Sequence, residues 1–281
     1  MMGNSLFIIR CVVPACLSVT AVTFNVVAIL ALRRTLALPK NFKLLLLSMA
    51  VSDVGVGLLV QPLYVAAIAS NRYHPILTSY FMATNCLCVA SLLGVTALAA
   101  DRFLTIHLHL RYREFVTYKR VVFVVILIWI SSAVIGLLPL FNPSVSFAFV
   151  PIIIIVGLVV IAIFYLKIYL AVKYHTEQIA AMQVSDGGDE EMQRNAEKQK
   201  KVAVTIFCVY LVLVVCYLPN LIITCIKLAD EKFAPSQYLT AFNDLLVFLN
   251  SSLNPLIYCW KMKDIRHTVK NILVNIFSCL S

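Results

Sequence analysis

Six long stretches of this chain are almost free of aspartate, glutamate, lysine and arginine. Positions 11–32 carry none, 44–71 carry only Asp53, and 73–100 carry none before Asp101. Positions 121–166 and 202–226 are again uncharged, and 233–260 hold only Asp244. About 20 predominantly apolar residues in a helix cross roughly 30 Å of hydrocarbon. The stretch 121–166 is too long for one crossing. Asn142-Pro143-Ser144 near its middle ends one helix and turns into the next. The pattern predicts seven spanning helices, an all-α membrane bundle formed by the whole of residues 1–281.

Composition sharpens this. Of 281 residues, 62% are hydrophobic and 13% charged, and mean hydropathy is +0.93. A soluble domain is about 45–50% apolar and about 25% charged, so a soluble enzyme, a disulfide scaffold and a disordered chain are all disfavoured. The net charge of +10 is spread between the apolar runs, which fits membrane topology better than a phosphate-binding patch. Nine cysteines are scattered, several deep in apolar runs, and give no disulfide framework.

Of the 23 lysines and arginines, all but Arg10, Arg72, Lys227 and Lys232 fall in connections on one side of the predicted membrane. That side is cytoplasmic by the positive-inside rule, which places the amino terminus outside and the carboxyl terminus inside. The first uncharged run is longer than the roughly 7–15 residues of a signal core. Arg33-Arg34 follow it, so it reads as a retained anchor with a head of about ten residues, Arg10 included. The polar connection 174–200, centred on Ser185-Asp186-Gly187-Gly188-Asp189-Glu190-Glu191, reads as a flexible cytoplasmic third loop with helical flanks. It lacks the acidic spacing of a calcium loop.

A charge inside a span costs roughly 2.5–3.5 kcal/mol on insertion scales. Asp53 lies mid-helix in the second run; Asn250 and Asn254 lie four apart in the seventh, with Ser251 beside them. Asn25 and Ser91 supply polar groups at similar depth. Spacing alone leaves two readings open: a small hard cation, or a hydrogen-bond cluster pinning helices together. No nucleophile–base–orienter set, glycine-rich phosphate loop or metal triad is present, so no enzyme chemistry is expected.

Five motifs then fall in order. Leu47-Ser48-Met49-Ala50-Val51-Ser52-Asp53 lies in helix two, Asp101-Arg102-Phe103 ends helix three, and Trp129 lies in helix four. Cys216-Tyr217-Leu218-Pro219 lies in helix six, and Asn254-Pro255-Leu256-Ile257-Tyr258 ends helix seven. Together they resemble the rhodopsin-like (class A) G protein-coupled receptors over roughly residues 20–265. The run 101–112 and the short second outer loop, 142–146, resemble the adenosine and melanocortin branches. The resemblance implies a multi-pass plasma-membrane receptor that passes ligand binding to a heterotrimeric G protein by outward movement of helix six, and it admits arrestin as a further partner. It implies that Arg102 contacts the G protein, that Asp101 holds it at rest, and that Tyr165 and Tyr258 meet near it when active. Pro219 and Pro255 would kink their helices. Asp53, Ser91, Asn250 and Asn254 match the family's sodium pocket, which tilts the two readings above towards a cation. The segment 261–281 would be an amphipathic eighth helix and tail, with Cys279 a candidate for palmitoylation.

Departures from the family pattern also carry expectations. The disulfide from helix three to the second outer loop is missing, Leu77 standing in its stretch. Tyr217 stands for the switch tryptophan, Leu213 for a phenylalanine and Gly157 for a proline; Gln199 replaces a glutamate opposite Arg102. Raised basal signalling is therefore expected, and Gln199→Glu should lower it. Thr84 replaces the amine-binding aspartate and Phe248 the retinal lysine. The ligand, small molecule, lipid or peptide, is expected among Thr84, Asn85, Cys88, Tyr217, Asn220, Thr224, Asp244 and Phe248. Asp244 is taken as the only charge in the outer half, paired with a cationic ligand or capped by Asn243 and Lys227. Two rival readings are an ion channel or transporter using Asp53, and a non-signalling decoy or dimer partner.

Overall fold

The computed structural model describes residues 4–36, 38–70, 73–108, 111–183, 190–230 and 232–280. These form α1 (Asn4–Arg34), α2 (Lys40–Ala69), α3 (His74–Leu108), α4 (Tyr118–Phe141), α5 (Pro143–Gln183), α6 (Glu190–Ala229), α7 (Gln237–Lys261) and α8 (Lys263–Leu280). A single helical turn, Tyr112–Phe115, links α3 to α4. No strand occurs among the described residues.

Helices α1 to α6 are long and apolar enough to cross a membrane. α7 falls short of that composition because it carries Asn243, Asp244, Asn250, Ser251, Ser252 and Asn254. All of these except the half-buried Asp244 are buried in the bundle, so its polarity is turned inward. The opposite pattern holds for α4 and α5: only 22% and 17% of their most apolar windows are buried. Phe123, Ile130, Val134, Phe141, Ile152, Val156 and Val159 face outward. Such a surface suits hydrocarbon as solvent and would aggregate in water.

The first span begins earlier than the hydrophobic pattern suggests. α1 already includes Arg10, which is buried rather than part of a solvated head. The α4–α5 connection is also shorter than expected. Asn142 alone lies outside both helices, with extended backbone at φ −152° and ψ 98°. Its N–H closes α4 on Leu138, and its Oδ1 accepts from the Val145 N–H at 3.1 Å to cap α5. Pro143 fills the first position of α5, where no N–H partner is needed.

The region 174–200 is helical over most of its length, α5 continuing to Gln183 and α6 starting at Glu190. Alanine, glutamine, methionine, lysine and glutamate favour helix there. The Gly187-Gly188 centre lies outside the described residues.

α2 is interrupted by one π turn, Val56–Val60, in which the Gln61 N–H bonds the Val56 carbonyl. Pro62 follows immediately; it has no N–H to give and its ring crowds the carbonyl four residues back. The Ser18 hydroxyl donates to the Gly57 carbonyl at 2.6 Å, so α1 satisfies a group within the bulge. α8 docks through Ile265 and Ile272, both buried, and through a 3.1 Å Thr268–Thr35 hydroxyl contact.

Close helix contact needs glycine at position 136. A Cβ there would lie 2.7 Å from Cys86 Cβ and 3.1 Å from the Met82 carbonyl oxygen on α3. Gly136→Val is expected to cost about 1–3 kcal/mol by overpacking, measured as a lower unfolding midpoint. An unchanged midpoint would show that α3 and α4 move apart freely.

Candidate functional site

Three polar assemblies lie along the bundle axis. At one end, Asp101 and Arg102 are both buried on α3. The guanidinium donates from Nε to Asp101 Oδ2 at 3.0 Å and from a terminal nitrogen to the same oxygen. Its Cζ sits 4.3 Å from the centre of the Phe42 ring on α2, a cation–π distance. The Tyr112 hydroxyl donates to Asp101 Oδ1 at 2.5 Å. Asn41 Nδ2 donates to the Val116 carbonyl at 2.8 Å, tying the Tyr112 turn to α2. Burial and the neighbouring carboxylate push the Tyr112 phenol up to about 12, so it remains a donor at neutral pH. The Gln199 side chain lies outside the described residues.

Phe103 beside this pair stacks on His107 at 5.3 Å and lies under the Lys167 ammonium at 5.5 Å. Tyr165 on α5 is buried between Phe207 and Tyr210 of α6, with ring centres 5.3 and 5.5 Å away. Tyr258 on α7 is buried and donates to Met49 Sδ at 3.4 Å. Trp129 Nε1 donates to Ser48 at 3.0 Å, fixing α4 on α2. α6 and α7 run unbroken through Pro219 and Pro255.

The second assembly lies mid-bundle. Asp53 is fully buried and accepts from Asn254 Nδ2 at 2.8 Å. Asn25 Nδ2 bridges the Ala21 and Ser251 carbonyls at 2.8 and 2.9 Å, joining α1 to α7. Asp53 Oδ1, Ser91 Oγ, Asn250 Oδ1 and Asn254 Oδ1 are buried with no protein hydrogen-bond partner. A pure hydrogen-bond cluster would leave few such oxygens; hard oxygen donors with one carboxylate suit a small cation.

The third assembly occupies the far end. Here the structure corrects the sequence reading of Asp244, which is not the lone charge of this half. Arg10 of α1 lies 3.4 Å from Asp244 Oδ2, and Tyr64 of α2 donates to the same oxygen at 2.9 Å. Arg10 Nε donates to the Tyr64 hydroxyl at 3.0 Å. Asn243 turns instead to Asn220, at 3.1 Å. Phe248 is buried edge-on to Tyr64, with ring centres 5.1 Å apart.

Other expected pocket residues are engaged locally. The Thr84 and Thr224 hydroxyls bond carbonyls of their own helices, Tyr80 and Asn220, at 2.7 and 2.8 Å. Asn85 reaches Ser146 of α5 at 2.9 Å. Cys88 and Tyr217 are both buried and adjacent. Leu213 is buried in the core, and the missing bulk at Gly157 is filled by Leu92, whose Cδ2 lies 2.7 Å from where a Cβ would sit. Eight cysteines are free among the described residues; the Cys279 side chain lies outside them.

Sequence reasoning missed Arg10, Tyr64, Phe42 and Tyr112. Only Arg10 left a signal, as a cation next to an uncharged run, and its partner is 234 residues away.

Residues 24–258 match the sequence pattern described as 7 transmembrane receptor (rhodopsin family). The chain is 28% identical over 288 aligned residues to adenosine receptor A3 of Ovis aries, spanning 92% of this chain and 87% of that protein. It is 26% identical over 275 residues to melanocortin receptor 3 of Homo sapiens, spanning 92% and 83%. Both relatives are receptors rather than enzymes, and neither match favours a channel or a decoy.

Proposed function

We infer, since this chain belongs to the rhodopsin family of seven-transmembrane receptors, that its Arg102 end is the cytoplasmic, G protein-coupling end and its Arg10 end receives ligand from outside the cell. The charge asymmetry of the connections supports this orientation, and receipt of a ligand from outside the cell implies a plasma-membrane location. The observation that carries the reading is the buried Asp101–Arg102 pair, closed by Phe42 and Tyr112. A charge-assisted contact of this kind stabilises the resting arrangement. A state with α6 displaced would free Arg102 for a G protein, and a ligand that prefers that state raises its population. Arrestin would engage the same end.

The test is basal G protein recruitment, across Gα subtypes, by the parent chain and Arg102→Ala at matched surface levels. A parent signal that falls at least tenfold in the variant is the expected result. A signal that the variant retains would remove Arg102 from the coupling interface.

Asp53, Ser91, Asn250 and Asn254 are the residues that would hold a sodium ion, which would supply positive charge beside the Asp53 carboxylate. Sodium chloride is expected to raise the unfolding midpoint above that in choline chloride, and Asp53→Asn to abolish the difference. An equal response in both chains would make the cluster a hydrogen-bonded pin.

A further inference from the structure

We propose that Asp244, with the rings of Tyr64, Tyr80 and Phe248, forms a binding subsite for a guanidinium or primary ammonium group of the ligand, and that Arg10 occupies this subsite as a built-in substitute. The inference rests on the reading that this end of the bundle receives the ligand. It adds the chemical class of one ligand group and moves the cation site from α3, where Thr84 offers no charge, to α2 and α7.

The occupant reveals the chemistry of the site. The Arg10 guanidinium donates to the Tyr64 hydroxyl through Nε at 3.0 Å and faces Asp244 Oδ2 through a terminal nitrogen at 3.4 Å. Its Cζ is 5.8 Å from the Tyr64 ring centre. Tyr64 packs against Phe248 at 5.1 Å and Tyr80 at 5.6 Å between ring centres. One carboxylate beside clustered aromatic faces is the arrangement that attracts an organic cation. Asp244 and Phe248 lie four apart on α7 and so share a face.

Two features make Arg10 an exchangeable occupant. A good charge-assisted contact closes to about 2.7–2.9 Å, whereas the tethered guanidinium stops at 3.4 Å. A cation free of the α1 backbone can approach more closely. The Asp244 side chain is 19% exposed against 3% for Arg10, so the carboxylate residue lies nearer the surface than the guanidinium that occupies it. The carboxylate is set apart from the Asp53 cluster: Asp244 lies six positions from Asn250, the nearest cluster residue on α7, about 9 Å of helix.

The test is chemical rescue with methylguanidinium in full-length receptor. Unfolding midpoints are measured for the parent, Arg10→Ala and Arg10→Ala/Asp244→Asn, against potassium chloride at equal ionic strength. Methylguanidinium at millimolar concentration is expected to raise the Arg10→Ala midpoint by roughly 2–4 °C, with little change in the parent or the double variant. Where Arg10→Ala fails to reach the cell surface, recovery of surface expression by methylguanidinium in the medium is the equivalent result. No rescue in either readout, or equal rescue in the double variant, would overturn the proposal. G protein recruitment is a separate measurement, so a failed rescue leaves the signalling assignment standing or falling by itself.

Discussion

Arg10→Ala is expected to lower the unfolding midpoint by roughly 5 °C, the cost of about 2 kcal/mol that follows when the cation of a part-buried ion pair is removed. The substitution leaves the Asp244 carboxylate with Tyr64 but without the cation that faces it at 3.4 Å. Asp244→Asn should cost at least as much, because it leaves the Arg10 guanidinium, the more deeply buried of the two charges, without its counter-charge. Replacing both partners, as Arg10→Met with Asp244→Leu, should recover most of the loss, since neither charge then needs a partner. Thermal unfolding of the four chains in one lipid preparation decides this. A double variant as weak as Arg10→Ala would mean that Arg10 matters through its packing and not its charge.

Tyr112→Phe is expected to raise basal G protein recruitment by up to roughly tenfold. A hydrogen bond to a charged group is worth about 1.5 kcal/mol or more, and its loss from the resting state alone shifts the two-state balance by about that factor. The bond concerned is the 2.5 Å contact to Asp101, which holds the carboxylate that holds Arg102. Adding Arg102→Ala should abolish the increase. The effect is a matter of the missing hydroxyl and not of pH. With its phenol raised to about 12, the contribution of Tyr112 is complete below the unfolded value near 10 and is lost as pH rises through about 12. Basal signal should therefore not change between about pH 6 and 8 on its account. A Tyr112→Phe chain that signals like the parent would transfer the resting latch to Phe42 and the α6 side.

What the sequence discloses follows from where the physical constraint is local. Asp53, Asn250 and Asn254 stand out because polar groups within apolar runs are costly, and the structure gathers Asp53 and Asn254 at 2.8 Å. The break at Asn142-Pro143 is legible because the uncharged run is too long for one crossing and proline fits the first turn of a helix without losing a hydrogen bond, and α5 starts there. The seven-helix bundle, legible from the uncharged runs, is the fold of the matched family. The Arg10–Tyr64–Asp244 contact is not legible, since it joins three helices whose relative rotation no local pattern records. Reading the first span from residue 11 placed Arg10 in water, whereas α1 contains it. Phe42 and Tyr112 look like ordinary aromatic residues until the approach of Arg102 and Asp101 gives them partners.

The π turn at Val56–Val60 has a consequence for how this chain is compared with others. One additional residue in a helical turn rotates everything beyond it by about 100° relative to an uninterrupted helix. Tyr64 meets Asp244 only with that rotation in place. A relative without the bulge would stay in phase with this chain up to Gly55 and be out of phase by one position from Gln61 onward. Residues aligned column by column there would point to different neighbours, and a gap of one residue in α2 would carry more structural meaning than many substitutions. Deleting Leu58 would turn Tyr64 away from its carboxylate while leaving Asp53 where it stands.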